Sequence, residues 1–326
     1  MRKSWIFILL LLLSVNDFIP NSYAKEKLQD CQTARVEPGI SSEGCLIVDG
    51  RKRKYRLHIP EIDKKKAEDL AVIIGLHGGA GTSKRFERFS QFSQLSNETK
   101  AFIAIYPQGI DKHWNDGRSN LDTSINDVKF FKNLVRQLKF KASLPIDLHK
   151  IFISGISNGG VMSLRIACEH TDWIKGAAIV AATLTTALAR KCVTEKPLPI
   201  LFIFGDKDTA FLDNGKVVNP VNSSEVRGTH IGIKNTLKKW QQNNGCSDAF
   251  FTTRIDTAKR DGTSVEKMVF RKCQKPLIYY KIINGGHRWP NEKTPNGFFM
   301  RKIINVGIAS HDINAAREIW DFFKKL

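Results

Sequence analysis

The chain has 326 residues, of which 42% are hydrophobic and 25% are charged, a composition typical of a globular protein large enough for one sizeable α/β domain. Lysine and arginine outnumber aspartate and glutamate by 51 to 32, so the formal net charge is +19. The basic residues are dispersed and no recognition motif accompanies them, which argues against a nucleic-acid partner. The positive net charge favours an anionic surface or an acidic polymer as the partner.

The first 24 residues predict a signal peptide. Arg2 and Lys3 precede an apolar run, Trp5–Leu13, that is too short to span a bilayer comfortably, and Ser22-Tyr23-Ala24 is typical of a cleavage site. We therefore expect a secreted or periplasmic protein without a stable membrane anchor; an N-terminal anchor is the alternative. Residues 25–49 are predicted to form an N-terminal extension, and residues 50–326 a single domain.

Apolar runs and amphipathic stretches alternate along residues 50–326. This alternation predicts a mostly parallel sheet with helices on both faces. The predicted strands are Tyr55–Ile59, Val72–Leu76, Phe102–Tyr106, Ile151–Ser154, Ala177–Val180, Ile200–Phe204 and Leu277–Ile283. The predicted helices are Phe86–Thr99, Asp122–Leu138, Gly160–His170, Thr229–Asn243 and Asp312–Lys325, with a hairpin expected within residues 247–275. Ligands bind outside the carboxyl ends of parallel strands, so the residues that follow these strands are candidates for a functional site.

A glycine-rich segment, Leu76-His77-Gly78-Gly79-Ala80-Gly81, follows the second predicted strand. Such a segment in this place supplies a backbone N–H to an oxyanion hole, and we assign that donor to Gly79. His77 is interpreted as a structural histidine that braces the glycine turn.

The segment Gly155-Ile156-Ser157-Asn158-Gly159-Gly160 fits the pattern G-x-S-x-G between a predicted strand and a predicted helix. Small neighbours let the chain turn tightly at the serine, and the N-terminus of the following helix favours negative charge there. Ser157 is therefore the predicted nucleophile, and the N–H of Asn158 is the second predicted oxyanion donor. A strand-to-helix turn without chemistry is the alternative interpretation of an isolated match.

Two later segments supply an acid and a base. Asp206-Lys207-Asp208 follows the strand Ile200–Phe204, and His287 lies in Gly286-His287-Arg288-Trp289-Pro290. The order Ser, Asp, His along the chain is the one that α/β-hydrolases use. A serine hydroxyl needs a base within hydrogen-bond reach and a third group that orients the base, and these segments provide both.

Several stretches resemble the secreted esterases grouped as polyhydroxybutyrate depolymerase-like and feruloyl-esterase-like proteins. They occur in family order over roughly residues 50–326: Tyr55–Pro60, Leu76–Gly79, Tyr106–Gly109, His113–Asn115, Asn126–Phe130, Gly155–Gly160, Gly205–Asp208 and Gly286–Pro290. The resemblance implies an α/β-hydrolase fold, hydrolysis of carboxylic esters, and Ser157, Asp208 and His287 as the catalytic triad. Asp206 departs from the T-A-D run that is common in the family and leaves a second carboxylate beside Asp208.

Trp114 and Trp289 are candidates for an apolar wall that binds an aromatic or sugar-bearing ester; plain packing is the alternative. The segment between Asp208 and Thr229 is polar and predicts an open loop rather than an apolar cover.

The six cysteines form no C-x-x-C pair, so zinc and thioredoxin chemistry are not predicted, and we expect no metal and no cofactor. An even number in an exported protein favours disulfides. Proximity along the chain favours Cys31–Cys45, Cys168–Cys192 and Cys246–Cys273. Buried free thiols are the alternative, above all for Cys168 within a predicted helix.

Together these features favour an exported serine esterase. The expected substrate is a carboxylic ester that a polymer can carry: a polyester such as polyhydroxybutyrate oligomers, or feruloyl or acetyl esters on a polysaccharide. Two alternatives stay open, a serine peptidase of the same fold and a non-catalytic protein that binds an envelope polymer or polysaccharide on a hydrolase scaffold. Residues 50–326 then correspond to the α/β-hydrolase catalytic domain.

Overall fold

The computed structural model describes residues 31–62, 69–118, 121–211, 215–218, 226–292 and 306–326. The signal peptide expected over residues 1–24, and the first part of the expected extension, lie outside these ranges. Within them, every helix is too short or too polar to cross a membrane.

A ten-stranded mixed sheet forms the centre of the molecule. Its order is β1 (Ser41–Val48), β2 (Arg51–His58), β4 (Phe102–Pro107), β3 (Leu70–Leu76), β5 (Ile146–Ile156), β6 (Gly176–Val180), β7 (Ile200–Gly205), β12 (Leu277–Ile283), β11 (Ser264–Phe270) and β10 (Phe250–Ile255). The strands from β4 to β12 are parallel, and two antiparallel strands flank them on each side. The predicted mostly parallel sheet is confirmed, and so is the hairpin within residues 247–275, which is β10–β11.

Helices cover both faces of the sheet. They are α1 (Ser83–Ser90), α2 (Phe92–Thr99), α3 (Asp127–Phe140), α4 (Asn158–Glu169), α5 (Thr186–Lys191), α6 (Gly232–Asn243) and α7 (Ala315–Phe323). The alternation of side chains along β3 separates two cores: Val72 and Ile74 pack with apolar residues of α3, α4 and α6, whereas Ala71 and Ile73 pack with those of α1, α2 and α7. The continuous apolar run of β3 is thus explained by burial on both faces.

The single helix predicted over Phe86–Thr99 is two helices, α1 and α2. Gln91 lies between them in the left-handed region with φ 64°. Its amide is held from outside the segment, because Nε2 donates to Asn291 O at 2.6 Å and Oε1 accepts Asn314 Nδ2 at 3.0 Å. The break therefore depends on tertiary contacts that the local apolar pattern does not contain.

The position of the first strand changes the domain boundary that we expected at residue 50. Ser41–Val48 pairs along its whole length with Arg51–His58, so β1 is the outer strand of the central sheet rather than part of an extension. Asp49 and Gly50 have φ values of 48° and 70°, as a two-residue hairpin turn requires. The folded domain thus begins before residue 50.

The segment predicted as an open polar loop also contains regular structure. Its described parts form a two-stranded antiparallel sheet of β8 (Lys216–Val218) and β9 (Val226–Thr229). Val217 and Val218 are buried, so this segment is not an entirely exposed polar loop. The remainder of the predicted loop, residues 212–214 and 219–225, lies outside the described ranges.

All six cysteines fall in the described part of the chain and are paired. The bridges are Cys31–Cys45, Cys168–Cys192 and Cys246–Cys273, which confirms the pairing predicted from proximity. The second bridge joins the end of α4 to the residue that follows α5, and both of its cysteines are buried.

We predict that replacing both Cys168 and Cys192 with alanine lowers the free energy of unfolding by about 3 kcal/mol, because the open chain regains the entropy of a closed loop. Urea unfolding of the oxidised proteins measures the difference, which should shrink after full reduction of both. In the unreduced, unfolded wild type no thiol should titrate; two or more free thiols per chain would contradict the pairing.

Candidate active site

Ser157 lies at the turn between β5 and α4. Its backbone has φ 57° and ψ −123°, a region that serine occupies only when the surrounding structure holds it there. Gly159, two residues after the serine, makes the turn possible, since a side chain there would collide with the carbonyl oxygens of Leu76 and His77 at the end of β3. The structure therefore has the strand, strained turn and helix that the G-x-S-x-G spacing predicts.

The side chain of Asn158 fixes the first turn of α4 against the loop that follows β4. Its Oδ1 accepts the N–H of Trp114 at 2.8 Å, and its Nδ2 donates to Trp114 O at 3.1 Å and to Asp116 Oδ2 at 2.6 Å. These contacts hold the backbone of Asn158 beside Ser157. Its N–H is the first of α4 and has no acceptor within the helix, as an oxyanion donor requires.

His77 braces the glycine turn after β3. Its Nδ1–H donates to Gly78 O at 2.7 Å, while Nε2 accepts the N–H of Gly109 at 3.0 Å and Nε2–H of Gln108 at 3.1 Å. The ring is 1% exposed, and its burial lowers the pKa of His77 to about 4, so that it is neutral at ordinary pH. The interpretation of His77 as a structural histidine is confirmed.

The predicted acid and base are in direct contact. Asp208 Oδ2 accepts His287 Nδ1–H at 2.8 Å, while Asp208 Oδ1 accepts the N–H groups of Ala210 and Phe211 at 2.8 and 3.1 Å. Both side chains are buried, His287 with 7% and Asp208 with 1% of the side chain exposed. Because Nδ1 donates to Asp208, Nε2 of His287 is the nitrogen left to accept a proton.

The other carboxylate of the segment Asp206-Lys207-Asp208, that of Asp206, does not contact His287. Asp206 Oδ1 accepts the N–H of Asn284 at 2.8 Å, and Oδ2 lies 3.9 Å from Lys281 Nζ. Of the two carboxylates between which the sequence leaves a choice, the structure thus brings Asp208, not Asp206, to His287.

The loop that carries His287 is fastened to the end of β7. The N–H of Lys207 donates to Gly285 O at 2.9 Å. A side chain at Gly205 would collide with the backbone of Gly285, so the glycine allows the two loops to meet. This contact sets the position of Asp208 relative to the histidine.

A cavity of about 480 Å³ lies at the carboxyl edge of the parallel strands. Ser157, Asn158, His287 and Gly79 all line it. Four of the seven predicted site residues are therefore brought to one space, and Asp208 lies directly behind His287. The rest of the wall includes apolar and basic residues, among them Phe211, Val217, Val218, Arg85, Arg118 and Arg227.

The two tryptophans predicted to line the cleft do not line this cavity, and the prediction is corrected. Trp114 is fully buried, and its Nε1–H donates to His77 O at 2.8 Å. Trp289 is 1% exposed and packs edge-on against Phe86 and Phe92 beneath the sheet's carboxyl edge. Both tryptophans follow loops that approach the site, but their rings fill the core below it. The alternative interpretation, plain packing, therefore applies to both.

Sequence reasoning missed a buried ion pair beside the site. Arg118 Nε and Nη2 bind both oxygens of Asp116 at 2.6 to 3.0 Å, and Arg118 Nη1 donates to the backbone O of Arg227 in β9 at 3.1 Å. The same carboxylate accepts Asn158 Nδ2, so the pair joins the nucleophile turn to β9. Asp116 directly follows the stretch His113–Asn115 that resembles the esterases, which was the only available signal.

The low pKa of His77 predicts a pH dependence of stability. The folded state binds this proton more weakly than the unfolded chain, whose ordinary pKa is 6.5, so the stabilisation is complete above pH 6.5 and is lost as the pH falls through 4. In His77→Gln, whose amide oxygen can accept the same hydrogen bonds, the decrease in unfolding free energy from pH 7 to pH 4 should be smaller by about 3 kcal/mol. Urea unfolding across this range measures both slopes; equal slopes would show that His77 is not the titrating group.

No family model matches the chain. It is 26% identical over 315 residues to a protein named "Putative esterase NocK" of Nocardia uniformis subsp. tsuyamanensis, a match that covers 93% of this chain and 88% of that protein. It is also 30% identical over 181 residues to feruloyl esterase B of Piromyces equi, covering 54% of this chain and 33% of the relative.

Solved structures of low sequence identity share the fold. An acetyl xylan esterase from Aspergillus awamori aligns with a TM-score of 0.51 at 15% identity, covering 78% of this chain and 94% of that one. An S-formylglutathione hydrolase from Agrobacterium tumefaciens aligns with a TM-score of 0.54 at 11% identity, covering 91% of this chain and 99% of that one. The chain thus has the α/β-hydrolase fold and is related in sequence to proteins named esterase and feruloyl esterase.

Proposed function

We propose that this protein is an exported serine esterase that hydrolyses carboxylic esters through an acyl-enzyme on Ser157. The contact between Asp208 Oδ2 and His287 Nδ1 at 2.8 Å is the observation that carries the proposal, because it leaves Nε2 of the histidine to act on a serine in the same cavity. The kinship with proteins named esterases supports the same reaction class.

The first half-reaction forms the acyl-enzyme. Nε2 of His287 takes the proton of Ser157 as Oγ attacks the ester carbonyl carbon, and Asp208 stabilises the imidazolium that results. The tetrahedral intermediate then collapses, the bond to the alcohol oxygen breaks, and His287 gives its proton to the leaving alcohol. In the second half-reaction a water molecule loses a proton to His287 and attacks the acyl carbon, which forms a second tetrahedral intermediate. As this intermediate collapses, the bond from the acyl carbon to Ser157 Oγ breaks, the acid is released, and His287 returns the proton to Oγ.

The negative oxygen of both intermediates needs donors that are fixed in advance. We assign this role to the N–H groups of Gly79 and Asn158, on the glycine turn braced by His77 and on the first turn of α4. Loss of one such donor typically costs about 2.7 to 4 kcal/mol of transition-state stabilisation. The side chain of Asn158 accepts the N–H of Trp114 and donates to Asp116, and these hydrogen bonds support the proposal because they fix one donor before substrate arrives.

Feruloyl or acetyl esters on a polysaccharide are the substrate class that the relatives' names favour within this proposal, with a polyester as the other class. Export is supported by three disulfides, which form in oxidising compartments. The charged and apolar pattern of residues 1–24 supports the same localisation.

Ser157→Ala should lower kcat for p-nitrophenyl acetate, p-nitrophenyl butyrate and methyl ferulate by about 10⁶-fold, as removal of a triad serine does. The fold should persist, since alanine is smaller and no hydrogen bond of the scaffold is removed; thermal unfolding provides the control. Retention of a substantial fraction of the wild-type rate by pure variant would place the nucleophile elsewhere.

The two carboxylates allow a matched comparison. Asp208→Asn should lower kcat by about 10⁴-fold, because an amide cannot orient the histidine in the required tautomer. Asp206→Asn, which changes a carboxylate two residues away that contacts Asn284 and Lys281, should lose far less. Steady-state kinetics on the same esters measures both, and a larger loss in Asp206→Asn would reverse the assignment.

A further inference from the structure

The loop that follows β4 brings another histidine to the cavity. His113 lines the same space as Ser157 and Gly79 and is half-buried. The proposed acyl transfer does not use this side chain. A polar ring in the wall of a candidate active site is therefore left to contact whatever molecule binds there.

The backbone before His113 holds the ring in place. Asp111 and Lys112 have φ values of 47° and 62°, so two successive non-glycine residues lie in the left-handed region. Lys112 O accepts the N–H of Ala80 at 3.0 Å, and a side chain at Gly109 would collide with the backbone of His113. Such backbone strain persists only where the surrounding contacts impose it. The turn thus fixes the histidine against the glycine turn after β3.

The two ring nitrogens of His113 have different surroundings. Nδ1–H donates to the backbone O of Asp111 at 2.8 Å. In a neutral imidazole whose Nδ1 carries the hydrogen, Nε2 is a hydrogen-bond acceptor. A methyl group at Gly79 would lie 3.2 Å from both Cδ2 and Nε2, so this edge of the ring is next to the proposed oxyanion donor.

The other acceptors in the wall are already in use. Within the described ranges, the cavity-lining side chains that can accept a hydrogen bond are His77, Thr82, His113, Ser157, Asn158 and His287. His77 and Asn158 accept backbone N–H groups within the fold, and Thr82 Oγ1 accepts the N–H of Arg85 at 3.2 Å. Ser157 and His287 are the proposed reacting pair. In the described part of the chain no donor reaches Nε2 of His113, which leaves it to accept from a bound molecule.

We propose, resting on the esterase function proposed above, that Nε2 of His113 accepts a hydrogen bond from a hydroxyl group close to the ester bond of the substrate. The substrate class is then a hydroxy ester, with the hydroxyl either on the acyl part, as in an ester of a hydroxy acid, or on the alcohol part, as in an ester of a sugar. When the carbonyl oxygen lies at the N–H of Gly79, a hydroxyl near the carbonyl carbon lies beside the ring. A methoxy group has no hydrogen to donate, so it displaces water from Nε2 without replacing its hydrogen bond.

Matched pairs of esters test the proposal on the whole protein. On the acyl side, 4-nitrophenyl 3-hydroxybutyrate is compared with 4-nitrophenyl 3-methoxybutyrate; on the alcohol side, 2-hydroxyethyl ferulate is compared with 2-methoxyethyl ferulate. Each rate is divided by the rate of hydrolysis in hydroxide, which removes differences in intrinsic reactivity. At least one hydroxy ester should then have a kcat/KM about three- to tenfold above that of its methoxy partner, the effect of one hydrogen bond. The pair that shows the preference identifies the part of the ester that carries the hydroxyl.

Variants of the histidine separate recognition from general effects. His113→Phe keeps a planar ring without an acceptor and should lower kcat/KM for the preferred hydroxy ester several-fold more than for its methoxy partner. His113→Gln, whose amide oxygen can accept, should keep more of the preference. His149→Phe is the matched control, an exposed histidine of β5 that does not line the cavity, and its preference should equal that of the wild type.

Three kinetic results would overturn the proposal. One is the absence of a preference in both pairs with the wild type. Another is an unchanged preference in His113→Phe. The third is an equal loss on hydroxy and methoxy esters in a His113→Phe protein whose thermal unfolding matches that of the wild type, which would show that the ring only supports the glycine turn.

Binding to Ser157→Ala distinguishes failure of this proposal from failure of the esterase function. Calorimetric titration of that variant with the members of both pairs requires no turnover. Tighter binding of a hydroxy ester, abolished by adding His113→Phe, supports the histidine site even if the wild type hydrolyses no ester. Equal binding within both pairs, with Ser157-dependent hydrolysis intact, overturns the histidine site alone.

Discussion

The left-handed turn at Ser157 is the constraint around which the site is built. A serine at φ 57° costs conformational energy that the surrounding structure must supply. Two features supply it: Gly159 lets α4 approach the end of β3, and the side chain of Asn158 ties the helix to the loop at Trp114. The buried position of Trp114 follows from this role, because its backbone and its indole both belong to the frame beneath the turn.

Two buried ion pairs connect this turn to more distant parts of the fold. On one side Asp116 accepts from Asn158 and pairs with Arg118, which reaches the backbone of β9. On the other side Asp127, at the first residue of α3, pairs with Arg53 of β2 at 2.5 Å and accepts the N–H of Asn115 at 2.7 Å. Burial raises the pKa of Asp127, and Arg53 opposes that rise. Such pairs add little net stability against an apolar core, but breaking one partner is costly, so they fix geometry.

The cavity combines contributions from distant parts of the chain with unlike chemistry. The glycine turn after β3, the turn before α4 and the loop after β12 give the proposed reacting groups, whereas β8 and the residues after Asp208 give the apolar wall. The basic lining residues come from α1, the loop after β4 and β9.

The sequence by itself determined the parallel strands, the elbow and the order of the proposed reacting residues. Strands buried on both faces appear as continuous apolar runs, and a turn that admits only small neighbours requires glycines that any reader of the chain can see. The pairing of the cysteines was also accessible, because short loops close most readily. These features depend on neighbours along the chain.

What the tertiary structure decided depends on contacts between distant segments. The choice of Asp208 over Asp206 rests on how the loop after β7 meets Gly285, and the break at Gln91 rests on Asn291 and Asn314. Trp114 and Trp289 looked like cleft residues because they follow loops near the site, but the direction of a ring is set by packing, which buries both. The gathering of Arg85 and Arg227 at one cavity, from positions more than a hundred residues apart, has no local signature at all.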